Sequence, residues 1–338
     1  MDALTHGLAS YAATRAFFPR ASRTALFAAL AAGTLADADR IAVLVGPSAW
    51  LRLQGAWLHS LAGALLLAAL VAGVFLALER RKTQPSAAPL SPAPLFAAAG
   101  LAALLHVALD LCQSDGVALL WPFRARRTAL DWTGGADPWI LALLLAGLLL
   151  PALLRLVTEE IGAKEKGPRG RTGAVLALAA VCVLLAARAV LHERAVALLD
   201  ARTYRGELPL RVAAFPENLS PFHWRGIVET QSALHLLALN TGPGAALDPE
   251  AAQPTFKPET SKILEAAQNT ESARRFLAVA RFPKATIEKT PEGYRVELHD
   301  LRHAAAGSSE RATAVVVLFN AEGKLLDQGI VWETATRR

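Results

Sequence analysis

The chain has 338 residues, of which 53% are hydrophobic and 19% are charged, and its mean hydropathy is +0.33. Ordinary water-soluble enzymes are less apolar and carry more charge, so this composition indicates a membrane protein. The formal net charge of +6 lies entirely in residues 1–199, where 18 basic residues accompany 12 acidic ones, while residues 200–338 hold 17 of each. A nucleic-acid-binding surface would be expected on the soluble part, so this distribution argues against nucleic acid as a partner.

Six apolar segments lie in the first 195 residues. Segments 4–18 and 24–36 are short for a full crossing, and we expect them to form a tilted or re-entrant helical hairpin. Four longer segments each approach the roughly 20 residues needed to cross about 30 Å of hydrocarbon; they are 60–78, 93–109, 138–154 and 172–187. Residues 1–195 are therefore predicted to be a polytopic α-helical membrane domain with about four full spans plus the short N-terminal hairpin.

Residues 200–338 are predicted to form a soluble α+β domain. Segments 294–298 and 313–319 have the composition of strands, and 320–324 is a turn that would join the second to a strand at 325–332. Segment 270–282 fits a helix, because Thr270 can cap its start and Pro283 would stop it.

Clusters of basic residues alternate with the apolar segments and predict the topology. If the first, second and fourth clusters face the cytoplasm, most of the chain obeys the positive-inside rule and both termini lie outside. We therefore expect a multi-pass protein of a bacterial inner membrane, with its C-terminal domain outside the cytoplasm. The clusters begin at Arg15, Arg80, Arg124 and Lys164.

Ionisable residues interrupt the apolar segments at sites where they are energetically expensive, which marks them as candidates for function. His106 and Asp110 are four residues apart, so a helix would place both on one face, one turn apart. Consecutive antiparallel spans bring the start of one to the end of the next, and the hairpin brings its two ends to that same level. We therefore expect one layer of polar side chains: Asp2, His6, Asp37, Asp39, His59, His106 and Asp110.

Imidazole and carboxylate groups in this number are typical of a site for zinc, manganese or iron with an open position for an activated water. Simpler interpretations remain open for each group. His106 and Asp110 would also serve as a buried pair that fixes helix packing, and Asp2 and His6 as surface residues of a first helix. Asp37 and Asp39 would also end a helix, and His59 would also be solvated at the interface.

Several short motifs resemble the YdjM-like family of membrane-bound metal-dependent hydrolases, in its long form with an extra C-terminal domain. In residues 1–139 they are MDALTHG (1–7), ADAD (36–39), LHS (58–60), the pair His106 and Asp110, SDG (114–116) and LWPF (120–123); stretches 216–229 and 273–283 resemble the long form. The resemblance implies hydrolysis at a membrane-embedded metal site. The chain departs from the family where a His-Arg pair is expected, because Gln54 and Gly55 stand there.

These observations lead to one hypothesis and two alternatives. The hypothesis is a hydrolase in which the seven residues of the polar layer hold one or two divalent ions, zinc or manganese foremost, with Asp115 as general base for attack on an ester or phosphoester. The depth of the site favours an amphiphilic, lipid-like substrate, with membrane lipids as the surrounding partners. The alternatives are a non-catalytic membrane scaffold with a vestigial site, and a proton or metal-ion transporter. A transport path would place polar groups at successive depths rather than in one layer.

Overall fold

The computed structural model describes residues 1–55, 57–81, 91–160, 170–217, 219–303 and 313–332. Two compact units make up the chain: Met1–Asp39 with Gly55–Val190, and Arg40–Gln54 with Leu191–Arg338. The helices within the described ranges are α1 (Ala3–Phe17), α2 (Arg23–Thr34), α3 (Ala42–Val45), α4 (Pro47–Leu53), α5 (Leu61–Arg80), α6 (Pro92–Leu111), α7 (Pro138–Glu160), α8 (Arg171–Asp200), α9 (Lys262–Gln268) and α10 (Glu271–Leu277).

The first unit is a helical bundle. Helices α5, α6 and α8 are each long and apolar enough to cross a membrane, and α7 contains a shorter apolar stretch, Pro138–Pro151. The two short segments predicted at the N-terminus are helices α1 and α2, which pack against each other. The helical character of this region is thus confirmed, with three described helices that could cross a membrane, while a count of four full spans stays a prediction.

Small side chains fill the centre of the bundle. Helices α2, α5 and α6 meet through buried alanines such as Ala28, Ala72 and Ala99. Gly33 on α2 lies so close to α1 that a Cβ atom there would be 1.9 Å from the Ser10 hydroxyl oxygen. Small residues let helix backbones approach closely, so polar side chains on different helices can meet.

The second unit contains two four-stranded antiparallel sheets, which confirms the soluble domain with strands expected after residue 200. Each sheet is a meander in which consecutive strands pair. The first consists of β1 (Arg211–Pro216), β2 (His223–Glu229), β3 (Ala233–Asn240) and β4 (Gln253–Phe256); the second consists of β5 (Pro283–Thr290), β6 (Gly293–Asp300), β7 (Thr313–Asn320) and β8 (Leu325–Trp332).

Large apolar side chains form the core of this unit. One face of the first sheet packs Trp224 against Leu199 at the end of α8. The second sheet packs against α9 and α10, with Phe276 buried at the centre of that cluster. Leu51, from the excursion 40–54, packs against the same cluster, and the ring of Trp50 lies 6.3 Å from that of Trp332.

Helix α10 is shorter than its predicted range of 270–282. Thr270 caps it as expected, accepting a hydrogen bond from the Ala273 amide, but the helix ends at Leu277. The amides of Arg281 and Phe282 instead donate to the carboxylate of Asp300. This long-range contact holds the last residues of the predicted helix outside it.

Candidate metal centre

Four buried residues from three parts of the bundle form a compact group. His6 lies on α1, Asp37 on a 3₁₀ turn (Leu35–Ile41) that follows α2, and His106 and Asp110 lie on α6. Each offers one ligand atom, and these atoms all lie within 4.8 Å of one another. None of the four residues is more than 7% exposed. We call His6, Asp37, His106 and Asp110 the ligand group.

His106 is oriented by the backbone of α2. Its Nδ1 lies 2.8 Å from the carbonyl oxygen of Gly33, and because a carbonyl only accepts, Nδ1 donates its proton there. Nε2 then carries the lone pair, and it lies 3.1 Å from Nδ1 of His59 and 3.2 Å from Oδ2 of Asp110. A backbone carbonyl that holds the second nitrogen is the usual support of a metal-binding histidine. The ring also stacks on that of His6, with centroids 3.7 Å apart.

Asp110 is the residue on which most of these contacts converge. Its Oδ1 lies 3.1 Å from His6 Nε2, and its Oδ2 lies 2.8 Å from His59 Nδ1. The amino group of Met1 and the side-chain amide of Gln113 also contact Oδ1. A buried carboxylate must be matched by donors and positive charge, and here the matching groups come from three segments: residues 1–6, the turn at His59 and the residues just after α6.

His59 and Asp39 form a second layer beside the ligand group. His59 Nε2 lies 3.1 Å from Asp39 Oδ2, so the ring connects the carboxylates of Asp39 and Asp110. Asp39 Oδ2 also accepts a hydrogen bond of 3.1 Å from the Gly55 amide. With both nitrogens of His59 engaged by carboxylates, this histidine is better suited to orient Asp110 than to bind an ion itself.

The two remaining predicted residues lie elsewhere. Asp2 caps α1, accepting hydrogen bonds from the backbone and the hydroxyl of Thr5 at 2.9 and 2.7 Å. Asp115 is half-buried, in the loop after α6, and is not one of the four residues of the ligand group. The structure brings His6, Asp37, His106 and Asp110 together, while metal binding by Asp2, Asp39 and His59, like metal binding by those four and the general-base role of Asp115, stays a prediction.

The ligand group fits a divalent ion by the chemistry of its donors. Two imidazoles and two carboxylates are a donor set suited to zinc or manganese. His6 Nδ1 is buried and has no hydrogen-bond partner among the described residues. Asp37 lies with its Oδ2 4.0 Å from His6 Nε2. An ion bound between these side chains would supply the positive charge that closely grouped carboxylates require.

Gly55, one of the two residues that depart from the resembled family, lies directly beside this site. Its φ is +61°, a conformation that residues with a Cβ rarely adopt. A Cβ there would lie 3.3 Å from the Gly116 carbonyl oxygen and 3.6 Å from Nη1 of Arg127. The guanidinium of Arg127 therefore occupies the space into which a side chain at position 55 would extend.

The sequence interpretation missed two groups that contact the site residues and one further buried charge in the bundle. Gly33 contributes only a backbone carbonyl, which no side-chain pattern reveals. Gln113 follows Asp110 by three residues, one helical turn, and that spacing was a signal available in the sequence. Arg188 is buried at a helix interior near the end of an apolar segment, where any charge is unusual.

Taken together, the apolar helices and the buried histidines and aspartates define a helical membrane protein with a candidate metal site. The model of the YdjM inner membrane protein family matches residues 1–195, which is more than half of the chain. The chain belongs to this family, as its motifs predicted. It matches no curated protein and no solved structure.

Proposed function

We propose that the protein is a membrane-bound metal-dependent hydrolase that acts on an ester or phosphoester of an amphiphilic, lipid-like substrate. The observation that carries the proposal is the ligand group, two histidines and two aspartates buried in a bundle of apolar helices. Ionisable groups inside such a bundle are costly and are usually retained for chemistry. The proposed setting is a multi-pass protein of the inner membrane with its C-terminal domain outside the cytoplasm.

Each residue has a proposed role. The ligand group, His6, Asp37, His106 and Asp110, holds a divalent ion, zinc or manganese. His59 orients Asp110 through its Nδ1, and Asp39 holds the other nitrogen of His59. A bound ion would polarise the scissile bond and make water a stronger nucleophile at neutral pH. Asp115 is the proposed proton acceptor. The surrounding apolar helices exclude bulk water, which strengthens the electrostatic interactions inside the site.

Metal content of the detergent-purified protein tests the first step. The double variant His106→Gln, Asp110→Asn keeps the size of both side chains but removes an imidazole and a charge. The control is His223→Gln, Asp327→Asn, which makes the same two changes at exposed strand positions. We expect stoichiometric zinc or manganese in the wild type and the control, and loss of the ion from the first variant while size exclusion shows it folded.

Absence of metal from the wild type, even after reconstitution with zinc and manganese, would overturn the proposal and favour a scaffold with a vestigial site. A metal-loaded protein that hydrolyses none of a series of lipid esters and phosphoesters would do the same for catalysis. Metal flux into sealed liposomes, abolished in the ligand-group variant, would instead favour the transporter.

A further inference from the structure

A second buried charge lies in the bundle, outside the ligand group. Arg188 on α8 is 1% exposed, and its Nη1 is 2.6 Å from Oδ2 of Asp137. Asp137 in turn precedes α7, and its Oδ1 accepts hydrogen bonds of 3.0 and 3.1 Å from the amides of Trp139 and Ile140. One edge of the guanidinium is therefore fixed by a residue that is itself held at a helix start.

The other edge of this guanidinium is left over. Nε and Nη2 of Arg188 are buried and have no hydrogen-bond partner among the described residues, and the same is true of the Thr133 hydroxyl. Buried donors are nearly always satisfied, and a charged one left bare is especially costly. A buried ion pair is by itself weak evidence for a role in stability, because apolar side chains of similar volume often serve as well. Two parallel, unused N–H donors indicate that a ligand supplies the acceptors.

Backbone contacts connect Arg188 to the residues that follow Asp110. Arg188 Nη1 donates to the carbonyl of Trp132 at 3.3 Å, and the amides of Trp132 and Thr133 both donate to the carbonyl of Cys112. Thr133 also pairs with Gln113, whose side chain contacts Asp110. Arg188 is thus connected through Trp132 to the segment that follows the ligand group, and Thr133 lies on that segment.

We propose that the Nε–Nη2 edge of Arg188, together with the Thr133 hydroxyl, binds a phosphate-class oxyanion of the substrate. The planar guanidinium offers two parallel hydrogen bonds that match two oxygens of a phosphate group, which a point charge such as lysine does not. The inference rests on the proposed function, since it assigns the anionic part of the molecule on which the ligand group would act. That anion is either the headgroup of a phospholipid or free phosphate.

Binding to metal-free protein tests this site independently of the ligand group. Calorimetry in detergent, after chelation, would compare dihexanoyl phosphatidic acid, inorganic phosphate and uncharged dihexanoylglycerol. Arg188→Gln removes the charge and the fork, and Arg188→Lys keeps the charge and the ion pair with Asp137. Asp137→Asn removes the carboxylate charge but keeps an oxygen that can accept the hydrogen bonds at the start of α7. Arg171→Gln is the matched control, because Arg171 starts the same helix and bonds the Ala16 carbonyl at the far end of α1, about 25 Å along α8 from Arg188.

We expect the wild type and Arg171→Gln to bind phosphatidic acid equally, and Arg188→Gln to bind it at least about tenfold more weakly. Arg188→Lys is expected to fall between them, and Asp137→Asn to bind at least as tightly as the wild type even where it melts earlier. Arg188-dependent binding of phosphatidic acid alone identifies a lipid headgroup, and equal binding of inorganic phosphate identifies the free ion.

Two results would overturn the inference. One is a wild type that binds neither anion, or binds dihexanoylglycerol as tightly as phosphatidic acid. The other is a loss of thermal stability in Arg188→Lys and Asp137→Asn with no change of anion affinity, which is what a purely structural ion pair gives. Arg188→Lys keeps this second test available if Arg188→Gln does not fold. Failure of the hydrolase proposal would appear separately, as missing metal in a protein that still binds the anion.

Discussion

Each unit of the chain buries an arginine–aspartate pair, and the two pairs differ in how fully they are satisfied. In the second unit, Arg302 Nε lies 2.8 Å from Asp300 Oδ2, and Arg302 Nη2 donates to the carbonyl of Val279. The Asp300 carboxylate also accepts from the backbone amides of Arg281 and Phe282. In the first unit, two donors of Arg188 have no partner among the described residues. The fully bonded pair Arg302–Asp300 is expected of a structural element, whereas the unused donors of Arg188 are expected of a binding site.

The apolar cores of the two units differ in the size of their side chains. Alanine and glycine line the helices of the bundle, and their small size brings histidines and aspartates from three segments within ligand distance of one another. The second unit is filled by large side chains, including Phe276, Phe282 and Trp224. Stability in the second unit therefore depends on apolar volume, and geometry in the bundle depends on close helix approach.

The largest effect that separates the two cores is expected from Phe276→Ala. Phe276 is 2% exposed at the centre of the cluster between α10 and the second sheet, so its removal leaves a cavity and should cost about 3–5 kcal/mol. Phe256→Ala is the matched control, because Phe256 is 59% exposed and should cost less than about 1 kcal/mol. Urea unfolding followed by the β-sheet circular dichroism signal measures both. Comparable losses of unfolding free energy in the two variants would contradict the assignment of Phe276 to the centre of this core.

A smaller effect, but one on metal as well as on stability, is expected from Gly33→Ala. The added Cβ would lie 1.9 Å from the Ser10 oxygen, so α1 and α2 must separate, at a cost of about 2–3 kcal/mol. Separation would move His6 and the Gly33 carbonyl that holds His106, so metal affinity should fall as well. Gly100→Ala on α6 adds the same methyl group where nothing lies within 4 Å, and it should leave both properties unchanged. Thermal melting and metal content measure the two effects, and full metal occupancy in Gly33→Ala would contradict the role given to close helix approach.

Local patterns in the sequence predicted the parts of the molecule that depend on local rules. The apolar segments that became α1, α2, α5 and α6 were found from their length, and Thr270 was found as a cap from its position before a helical stretch. The meeting of His6, Asp37, His106 and Asp110 was inferred from the alternation of spans, because successive helices must return to the same level.

Other features depend on contacts between residues far apart in sequence, and no local pattern encodes them. The end of α10 at Leu277 is set by Asp300, and the orientation of His106 by the backbone of Gly33, 73 residues away. The excursion 40–54 belongs to the second unit although both of its flanking residues, Asp39 and Gly55, belong to the first. Composition changes at about residue 200, so nothing in it marked this short segment.

The smallest expected effect concerns how the Arg302–Asp300 pair makes the stability of the second unit depend on pH. Burial alone would raise the pKa of Asp300, but the positive charge of Arg302 and hydrogen bonds from the backbone amides of Arg281 and Arg302 outweigh it, so the pKa lies below its ordinary value. A carboxylate with a lowered folded-state pKa stabilises the fold fully above its unfolded pKa of about 3.9, and this contribution is lost as the pH falls through the lower folded value.

Asp300→Asn removes the charge and should therefore cost about 1–2 kcal/mol at pH 7, a difference that shrinks as the pH falls below about 4. Urea midpoints of the β-sheet signal between pH 7 and 3 measure it, with Asp327→Asn as a control that removes a carboxylate from the exposed surface of the second sheet. Parallel curves for the wild type and Asp300→Asn would show that the ion pair adds no pH-dependent stability. The buried Arg302–Asp300 pair would then add nothing to the stability of the second unit through its charge. The difference between this pair and Arg188–Asp137 would then consist only of the two unused donors of Arg188.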